Sequence, residues 1–364
     1  GKTLVLAAAL ALAMSVMSGA AKAETMILAS PQAPEGFDGD ALKAHTQNVV
    51  TQVYENLVAY GTMEVDGITT LNPDDLKPHL AESWTVSEDG KTWVFKLREG
   101  VLSPFGNELT ADGVEWGWAK SFEQKRTGNF IARVSNVTGV KAISKYEVEF
   151  TLSAPSAIFL NALTLYVPGI YDTTEVKKHA TEADPWALEW MQSNTAGFGA
   201  YHLESLRADD QAVFVANPNY FGGQPYYDRV IYKEIPSEAS RVTLLKAGQV
   251  QWIDRPSINQ VVNMQADPNV KVQRATSRSV AAARMNPSCE VFSDTRVRQA
   301  FNYAVDKDAL NTAVFAGQAD IARSIVSPII AGSNQEHFAY DFDPEKAKAL
   351  LAEAGYPDGI AEPV

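Results

Sequence analysis

The sequence predicts an α/β protein with at least two domains, on three observations. A strand, a helix and a second strand follow one another between Val230 and Asp254, the pattern of a parallel βαβ unit. Alternating apolar residues around Trp84 and Trp93 predict an antiparallel hairpin in a separate α+β region. The chain has 364 residues, more than one hydrophobic core usually holds, so more than one core is expected.

The first 23 residues have the pattern of an export signal. Lys2 precedes an apolar run from Leu4 to Met17, and Ala21-Lys22-Ala23 places small residues where a signal peptidase reads them, before Glu24. The alternative is a membrane anchor, because the apolar stretch has about the 20 residues that span a bilayer. We expect cleavage before Glu24, which leaves 341 of the 364 residues and, with two lysines lost, changes the net charge from −13 to −15.

Cysteine use and charge narrow the class of protein. Cys289 is the only cysteine, so no intramolecular disulfide forms and no lipid can be attached at the cleavage point. We expect a diffusible periplasmic protein in which Cys289 is a small buried hydrophobic residue rather than a nucleophile. The chain is acidic and has no Lys/Arg cluster, which argues against nucleic-acid binding.

The first half of the chain predicts a strand that feeds a long loop, followed by a separate region. A short strand at Met26–Ala29 leads into a Pro/Gly-rich loop at Pro31–Gly39, and a helical stretch is expected from Asp40 to Val58. Further along, a helix is expected around Val114–Gln124, and alternating apolar residues predict a strand at Tyr146–Leu152. A strand that ends in a long loop is a common way to bring backbone to a ligand.

The βαβ unit predicts where a ligand binds. Strands are expected at Val230–Ile235 and Val250–Ile253, with Ser237 capping the helix between them and Gly248 ending it. Ligands of open parallel sheets lie beyond the carboxyl ends of the strands. The residues at that edge are Trp252, Asp254 and Arg255.

The last hundred residues predict one long crossing segment and three capped helices. A strand is expected at Val270–Gln273, and the segment Ala275–Pro287 is interpreted as the strand that crosses into a second lobe. Asp294, Asp306 and Asp343 are predicted helix N-caps, and the last helix has Pro344 at its first position and Gly355 after its end.

No catalytic or metal-binding motif is present. The five histidines have neither the His-Glu-x-x-His spacing nor a cysteine partner that a zinc site needs; they are His45, His79, His179, His202 and His337. The nucleophile elbow, the phosphate-binding loop and the dinucleotide fingerprint are all missing. We therefore expect neither a cofactor nor an enzyme, and a peptidase or amidase is the weakest of the functional hypotheses.

The block from Leu76 to Thr110 carries the hairpin and the most specific motif. It contains Pro-His-Leu-Ala-Glu-Ser-Trp, then Asp-Gly-Lys-Thr-Trp-Val-Phe-Lys-Leu-Arg-Glu-Gly-Val, then Leu-Thr. This block resembles the signature of the family 5 extracellular solute-binding proteins, the oligopeptide and dipeptide receptors of ABC importers. The resemblance continues, in the family's order, at Val53–Leu57, Gly199–Tyr201, Asn217–Gly223, Asp294–Ala300 and Asp343–Gly355.

Two short segments depart from the family pattern. Gly113 stands where the family usually has an aspartate, and Ala196–Tyr201 replaces the usual Gly-Thr-Gly-Pro-Tyr. Both departures are local, so they leave the family assignment in place.

The resemblance implies a two-lobed, periplasmic-binding-protein-like α/β fold with an inserted α+β subdomain in the first lobe. We assign residues 24–58 and 185–275 to the first lobe, 59–184 to the inserted subdomain and 276–364 to the second lobe. Because members of the family are longer, the second lobe is expected to be incomplete. The family also implies a monomeric receptor that closes on a short peptide and delivers it to permease subunits at the inner membrane.

Eight residues form the predicted ligand site. Arg284 stands two positions before Asn286, where several peptide receptors of the family carry a charged residue, and its planar guanidinium suits a ligand carboxylate. The alternative for Arg284 is a salt bridge to one of the many acidic groups. The predicted site comprises Trp252, Asp254, Arg255, Ser277, Arg278, Arg284, Asn286 and Phe198.

The ligand class stays open at the sequence level. A periplasmic chaperone that binds unfolded segments in the same cleft is one alternative function. Receptors for opines, sugars or chelated nickel are others, since the family includes binders of several solutes.

Overall fold

A computed structural model describes residues 24–40, 46–65, 67–273, 279–328, 330, 333–336 and 340–360. The strands are β1 (Thr25–Ser30), β2 (Val58–Val65), β3 (Ile68–Pro78), β4 (Ala81–Val86), β5 (Thr92–Leu97), β6 (Val137–Ala142), β7 (Glu147–Leu152), β8 (Tyr201–Arg207), β9 (Gln211–Ala216), β10 (Arg229–Glu234) and β11 (Trp252–Ile253). The helices are α1 (Gln47–Val50), α2 (Ala111–Gln124), α3 (Thr127–Val134), α4 (Phe159–Ala162), α5 (Thr173–Val176), α6 (Glu238–Lys246), α7 (Ile258–Met264), α8 (Glu290–Ser293), α9 (Thr295–Ala304), α10 (Lys307–Phe315) and α11 (Pro344–Glu353).

The sheet that positions the predicted site has the strand order β11-β1-β10-β9-β8. β1 is parallel to both β10 and β11, with Met26 opposite Val230 and Leu28 opposite Trp252. The predicted βαβ unit is therefore confirmed, and β1 lies between its two strands. Ser237 caps α6 by accepting a hydrogen bond from the backbone N–H of Ser240, as the sequence indicated.

The predicted hairpin forms β4 and β5 of an antiparallel sheet with the order β4-β5-β7-β6. Gly90 in its turn has φ +70°, a conformation that glycine adopts without strain. Alternation along β7 buries Val148 and Phe150 against Phe95 of the hairpin, and α2 covers the sheet. One core cluster runs from Phe37 through this sheet to Phe214, so the predicted inserted subdomain and first lobe share a core. The boundaries between them stay a prediction.

The helix expected from Asp40 to Val58 is wrong for most of its length. Helical structure covers only Gln47–Val50, β2 already begins at Val58, and residues 41–45 are outside the described part of the chain. Tertiary hydrogen bonds end the helix. The carbonyl of Val53 accepts from the N–H of Gly199 at 2.8 Å, and that of Gln52 accepts from the N–H of Tyr201 at 3.0 Å, so neither serves a further helical turn.

The strand predicted at Val270–Gln273 is also wrong. Val270 and Val272 instead pack as side chains on a small second core around Val242 and Ile253. Of the predicted crossing strand, residues 279–287 have no regular structure, and its earlier residues 275–278 lie outside the described chain.

The capped helices of the last hundred residues are confirmed. The side chains of Asp294, Asp306 and Asp343 accept hydrogen bonds from backbone N–H groups in the first turns of α9, α10 and α11. α9 packs on α11 through buried Val297, Ala300 and Ala347.

Cys289 was expected to be buried, and that prediction is wrong. It is exposed, because it occupies the N-cap position of the short helix α8, which has no buried residue. Within the described ranges, no helix has the length and apolar content to cross a membrane.

Candidate functional site

Three polar side chains meet at the carboxyl edge of the parallel strands. Ser30 ends β1 and is 3% exposed, and its Oγ donates to Oδ2 of Asp254 at 3.3 Å. The N–H of Asp254 donates to the carbonyl of Ala29 at 2.8 Å, which fixes the residue after β11 against β1. Glu234 ends β10, and its Oε2 accepts from the N–H of Ala33 at 2.8 Å. The edge therefore carries two carboxylates and an anchored loop.

Arg255 and Trp252 give this edge a cation and an exposed ring. Arg255 has φ +50°, an uncommon conformation for a non-glycine residue, and its Nε lies 3.7 Å from Oδ2 of Asp254. Trp252 is 57% exposed although it lies on a strand, because β11 is the outermost strand of the sheet. The structure thus places Trp252, Asp254 and Arg255 at this edge of the sheet, and their role in ligand binding stays a prediction.

A buried ion pair holds the loop that follows β1. Lys120 of α2 has a side chain that is 0% exposed, and its ammonium binds Asp38, whose side chain is 4% exposed. The hydroxyl of Tyr171 also donates to Oδ1 of Asp38 at 2.6 Å. Burial opposes ionisation of Asp38, but the charge and hydrogen bond of Lys120 outweigh it and keep the pKa of Asp38 below its usual value.

Of the predicted site residues elsewhere, Phe198 is not available to a ligand. Its ring is 1% exposed and belongs to the main core cluster, because the segment around it packs on the backbone of Val53. We correct the prediction for Phe198 accordingly. Ser277 and Arg278 lie outside the described residues.

Arg284 and Asn286 lie on the irregular segment that leads to α8. Both are exposed, and Oδ1 of Asn286 accepts from the N–H of Ser288 at 3.0 Å, which makes it a local turn residue. Within the described ranges Arg284 has neither a hydrogen bond nor an ion pair, so the salt bridge considered as its alternative role is not seen there. A ligand role for Arg284 stays a prediction.

Sequence reasoning missed Ser30, Glu234 and Asp38. The rule that selected Asp254, namely the position just after a parallel strand, also selects Ser30 and Glu234 once β1 and β10 are recognised as neighbours. No local signal marks Asp38, because its partner Lys120 is 82 residues away in sequence.

Several motif residues form hydrogen bonds with other motif segments. Glu55 binds His79 at 2.6 Å between Oε2 and Nε2, and its Oε1 accepts from the hydroxyl of Tyr220 at 2.8 Å. Burial and the adjacent Glu55 carboxylate raise the pKa of Tyr220. Nδ2 of Asn217 donates to the carbonyl of Gly199 at 3.1 Å. These contacts join motif segments that are distant in sequence.

Nothing in the described ranges forms a group of three or more His, Cys, Asp or Glu side chains suited to a metal ion. The carboxyl edge offers hydrogen bonds and charges of both signs, which is the chemistry of noncovalent ligand binding.

Comparisons with known proteins identify the family to which the chain belongs. The sequence profile of the bacterial extracellular solute-binding proteins, family 5 Middle, matches residues 75–362. The chain is 31% identical to heme-binding protein A of Haemophilus influenzae over 359 residues, which covers 92% of the chain and 63% of that protein. It is 29% identical to the dipeptide-binding protein of Escherichia coli over 377 residues, which covers 97% of the chain and 67% of that protein.

A solved structure shows the same fold. The periplasmic binding protein DppA from Helicobacter pylori, in complex with the peptide STSA, superimposes with a TM-score of 0.77 at 24% identity, over 92% of this chain and 67% of that one. The fold is therefore that of a periplasmic binding protein. With the profile match and the 31% identity, the chain belongs to the family 5 bacterial extracellular solute-binding proteins.

Proposed function

We propose that the protein is a periplasmic receptor that captures short peptides by closure of two lobes and delivers them to the permease of an ABC importer. Family membership supports the solute-binding role, and the dipeptide-binding relative supports the peptide class. Because the chain spans 63% and 67% of the lengths of the two relatives named above, the ligand and the permease partner belong to the proposal. Binding and closure need no covalent step.

One observation supports the proposal most strongly: polar groups line the edge formed by the C-terminal ends of strands β11, β1 and β10. A short peptide has an ammonium, a carboxylate and main-chain groups that all need partners when water is removed. The edge supplies the carboxylates of Glu234 and Asp254, the guanidinium of Arg255 and the backbone of the loop after Ser30. Arg284 is proposed as a second cation for the peptide carboxylate.

Haem is the second candidate ligand, because the relative with 31% identity is named heme-binding protein A. Its propionates suit guanidinium groups, and its ring suits an exposed aromatic side chain such as that of Trp252. Haem absorbs visible light, so the two ligand classes are easily told apart.

Native mass spectrometry of the gently purified full-length protein tests the proposal. We expect a one-to-one complex with a small peptide. Calorimetry should then show stoichiometric binding of that peptide and much weaker binding of the same peptide acetylated and amidated at its ends. A bound species with haem absorbance would favour haem. Binding only to long unfolded chains would favour a chaperone and contradict the receptor function.

A further inference from the structure

Arg241 is a buried arginine near the start of α6, and its side chain holds the turn that follows β10. The residue is only 4% exposed. Its Nη1 donates to the carbonyl of Ile235 at 2.7 Å and to that of Pro236 at 2.8 Å. A buried charge needs polar partners in place of water, and these two carbonyl groups serve as such partners. The arginine therefore fixes the backbone that leaves β10.

Ile235 connects this restraint to the candidate site. Its N–H donates to the carbonyl of Ser30 at 2.8 Å, so the same residue is bonded to the end of β1 through its N–H and to Arg241 through its carbonyl. Ser30 in turn donates through Oγ to Oδ2 of Asp254 at 3.3 Å. A continuous series of hydrogen bonds thus connects the buried guanidinium to a carboxylate of the edge.

Glu238 holds the other side of the edge from the same end of α6. Its Oε1 accepts a hydrogen bond from the N–H of Ser257, on the loop that follows β11. Glu238 and Arg241 are three residues apart, so their side chains lie on the same side of the helix. Since β1 lies between β10 and β11, the start of α6 is bonded to the chain beyond both flanking strands.

Arg241 does not face a ligand itself. The exposed groups of the edge belong to other residues, because the side chains of Asp254 and Arg255 are 20% and 54% exposed. A binding site keeps its geometry to within about 0.5 Å only when the residues behind it are locked by packing and hydrogen bonds. The hydrogen bonds of Arg241 lie behind the edge in this sense.

We propose that Arg241 is a positioning residue for the ligand site: together with Glu238 it fixes the chain after β10 and β11, so that Ser30 and Asp254 keep their mutual geometry. The inference rests on the proposed function, because it assumes that this edge binds the solute. The planar guanidinium holds two carbonyl groups at a fixed spacing, whereas an ammonium is a single point charge. Lysine should therefore replace Arg241 only in part.

Hydrogen exchange of the ligand-free protein tests the positioning role without any ligand. In Arg241→Met, exchange at the amides of Ile235 and Asp254 should quicken about tenfold or more, since one hydrogen bond to a charged group is worth at least that factor. The amide of Leu97, in the antiparallel sheet, should follow only the change in global stability. Arg241→Lys should restore part of the protection.

Calorimetry with alanylalanine, a dipeptide with both ends free, tests the consequence for ligand binding. We expect Arg241→Met to bind it several-fold more weakly than wild type, with Arg241→Lys in between. Arg298→Met is the matched control, because Nη1 of Arg298 donates to the carbonyls of Phe292 and Ser293 at 2.6 and 2.9 Å, just before α9. It should lower the global stability and leave dipeptide binding unchanged.

Quickening at Ile235 and Asp254 no larger than that at Leu97 would overturn the proposal. Wild-type dipeptide binding by Arg241→Met, with its edge amides quickened, would overturn it as well. If wild type does not bind the dipeptide, that result counts against the proposed peptide ligand, while the exchange rates still decide the positioning role. If Arg241→Met does not fold, Glu238→Met replaces it: exchange at the Ser257 and Asp254 amides should quicken, and unchanged exchange there would reject the proposal.

Discussion

Lys120 is a buried cation that a sequence pattern does not reveal. On α2 it lies four residues after Trp116, and its ammonium is 4.9 Å from the ring centroid of Tyr171 as well as bonded to Asp38. Removing one member of a buried ion pair leaves the other charge without compensation. The pair therefore holds the loop after β1 in place.

Lys120→Met should lower the free energy of unfolding by about 3 to 5 kcal/mol, since it leaves Asp38 charged and buried. Denaturant unfolding measures this loss. Lys145→Met is the control, because the Lys145 and Glu108 side chains are 58% and 30% exposed, and the midpoint should move little. The double variant Lys120→Met/Asp38→Asn should recover part of the loss. A single variant as stable as wild type would show that the pair does not stabilise the lobe.

The proposed role of Arg284 in ligand binding can be tested directly by substitution. Arg284→Ala should weaken binding of the identified peptide by about 1.5 to 3 kcal/mol, the usual worth of a hydrogen bond to a charged group. Calorimetry measures the change. Arg207→Ala is the matched control, because Arg207 pairs with Asp210 on the surface at 2.9 Å, and it should bind like wild type. Unchanged binding by Arg284→Ala would remove this residue from the site.

At the scale of the elements, the sequence correctly predicted the turns and helix caps, which depend on residues that are close together in the chain. The turn at Gly90, the cap Ser237 and the caps Asp294 and Asp343 act within a few residues, and all were foreseen. The helix from Asp40 to Val58 failed because loop residues distant in sequence bind its carbonyl groups. The contact between Ser30 and Asp254 could not be predicted, because it depends on the order of the strands in the sheet, and the periodicity of apolar residues does not reveal that order.

Gly113 on α2 shows why one departure from the family pattern suits this chain. A Cβ added there would lie 2.3 Å from the carbonyl oxygen of Tyr171. Gly113→Ala should therefore cost about 1 to 3 kcal/mol in the free energy of unfolding, although alanine favours helix. Gly139→Ala is the control, because its nearest contact is 3.9 Å away at Thr151. Stabilisation by Gly113→Ala would mean that α2 does not pack so closely on Tyr171.

The cap of α6 matters because this helix connects β10 with the strand that carries the site. Ser237→Ala removes the acceptor for the N–H of Ser240 and should cost about 1 kcal/mol in the free energy of unfolding. Ser237→Asp keeps an acceptor and should retain most of the stability. Thermal unfolding of both variants checks the prediction, and equal losses in the two would argue against a capping role.

At the scale of the whole molecule, one core cluster joins the candidate first lobe to the inserted α+β region. The sheet β11-β1-β10-β9-β8 then presents its parallel edge beside a loop that this core anchors through Asp38. Polar groups of both signs at one edge of a sheet suit the noncovalent binding of a solute. The central claim is that this edge binds the solute.

Calorimetric titration of Asp254→Ala with the identified ligand tests that claim most directly. Asp254 is joined to Ser30 and lies beside Arg255, so its loss should weaken ligand binding by at least about tenfold, or 1.4 kcal/mol. Asp210→Ala, at a surface ion pair, should bind like wild type. If Asp254→Ala folds and binds the ligand with wild-type affinity, the carboxyl edge is not the ligand site.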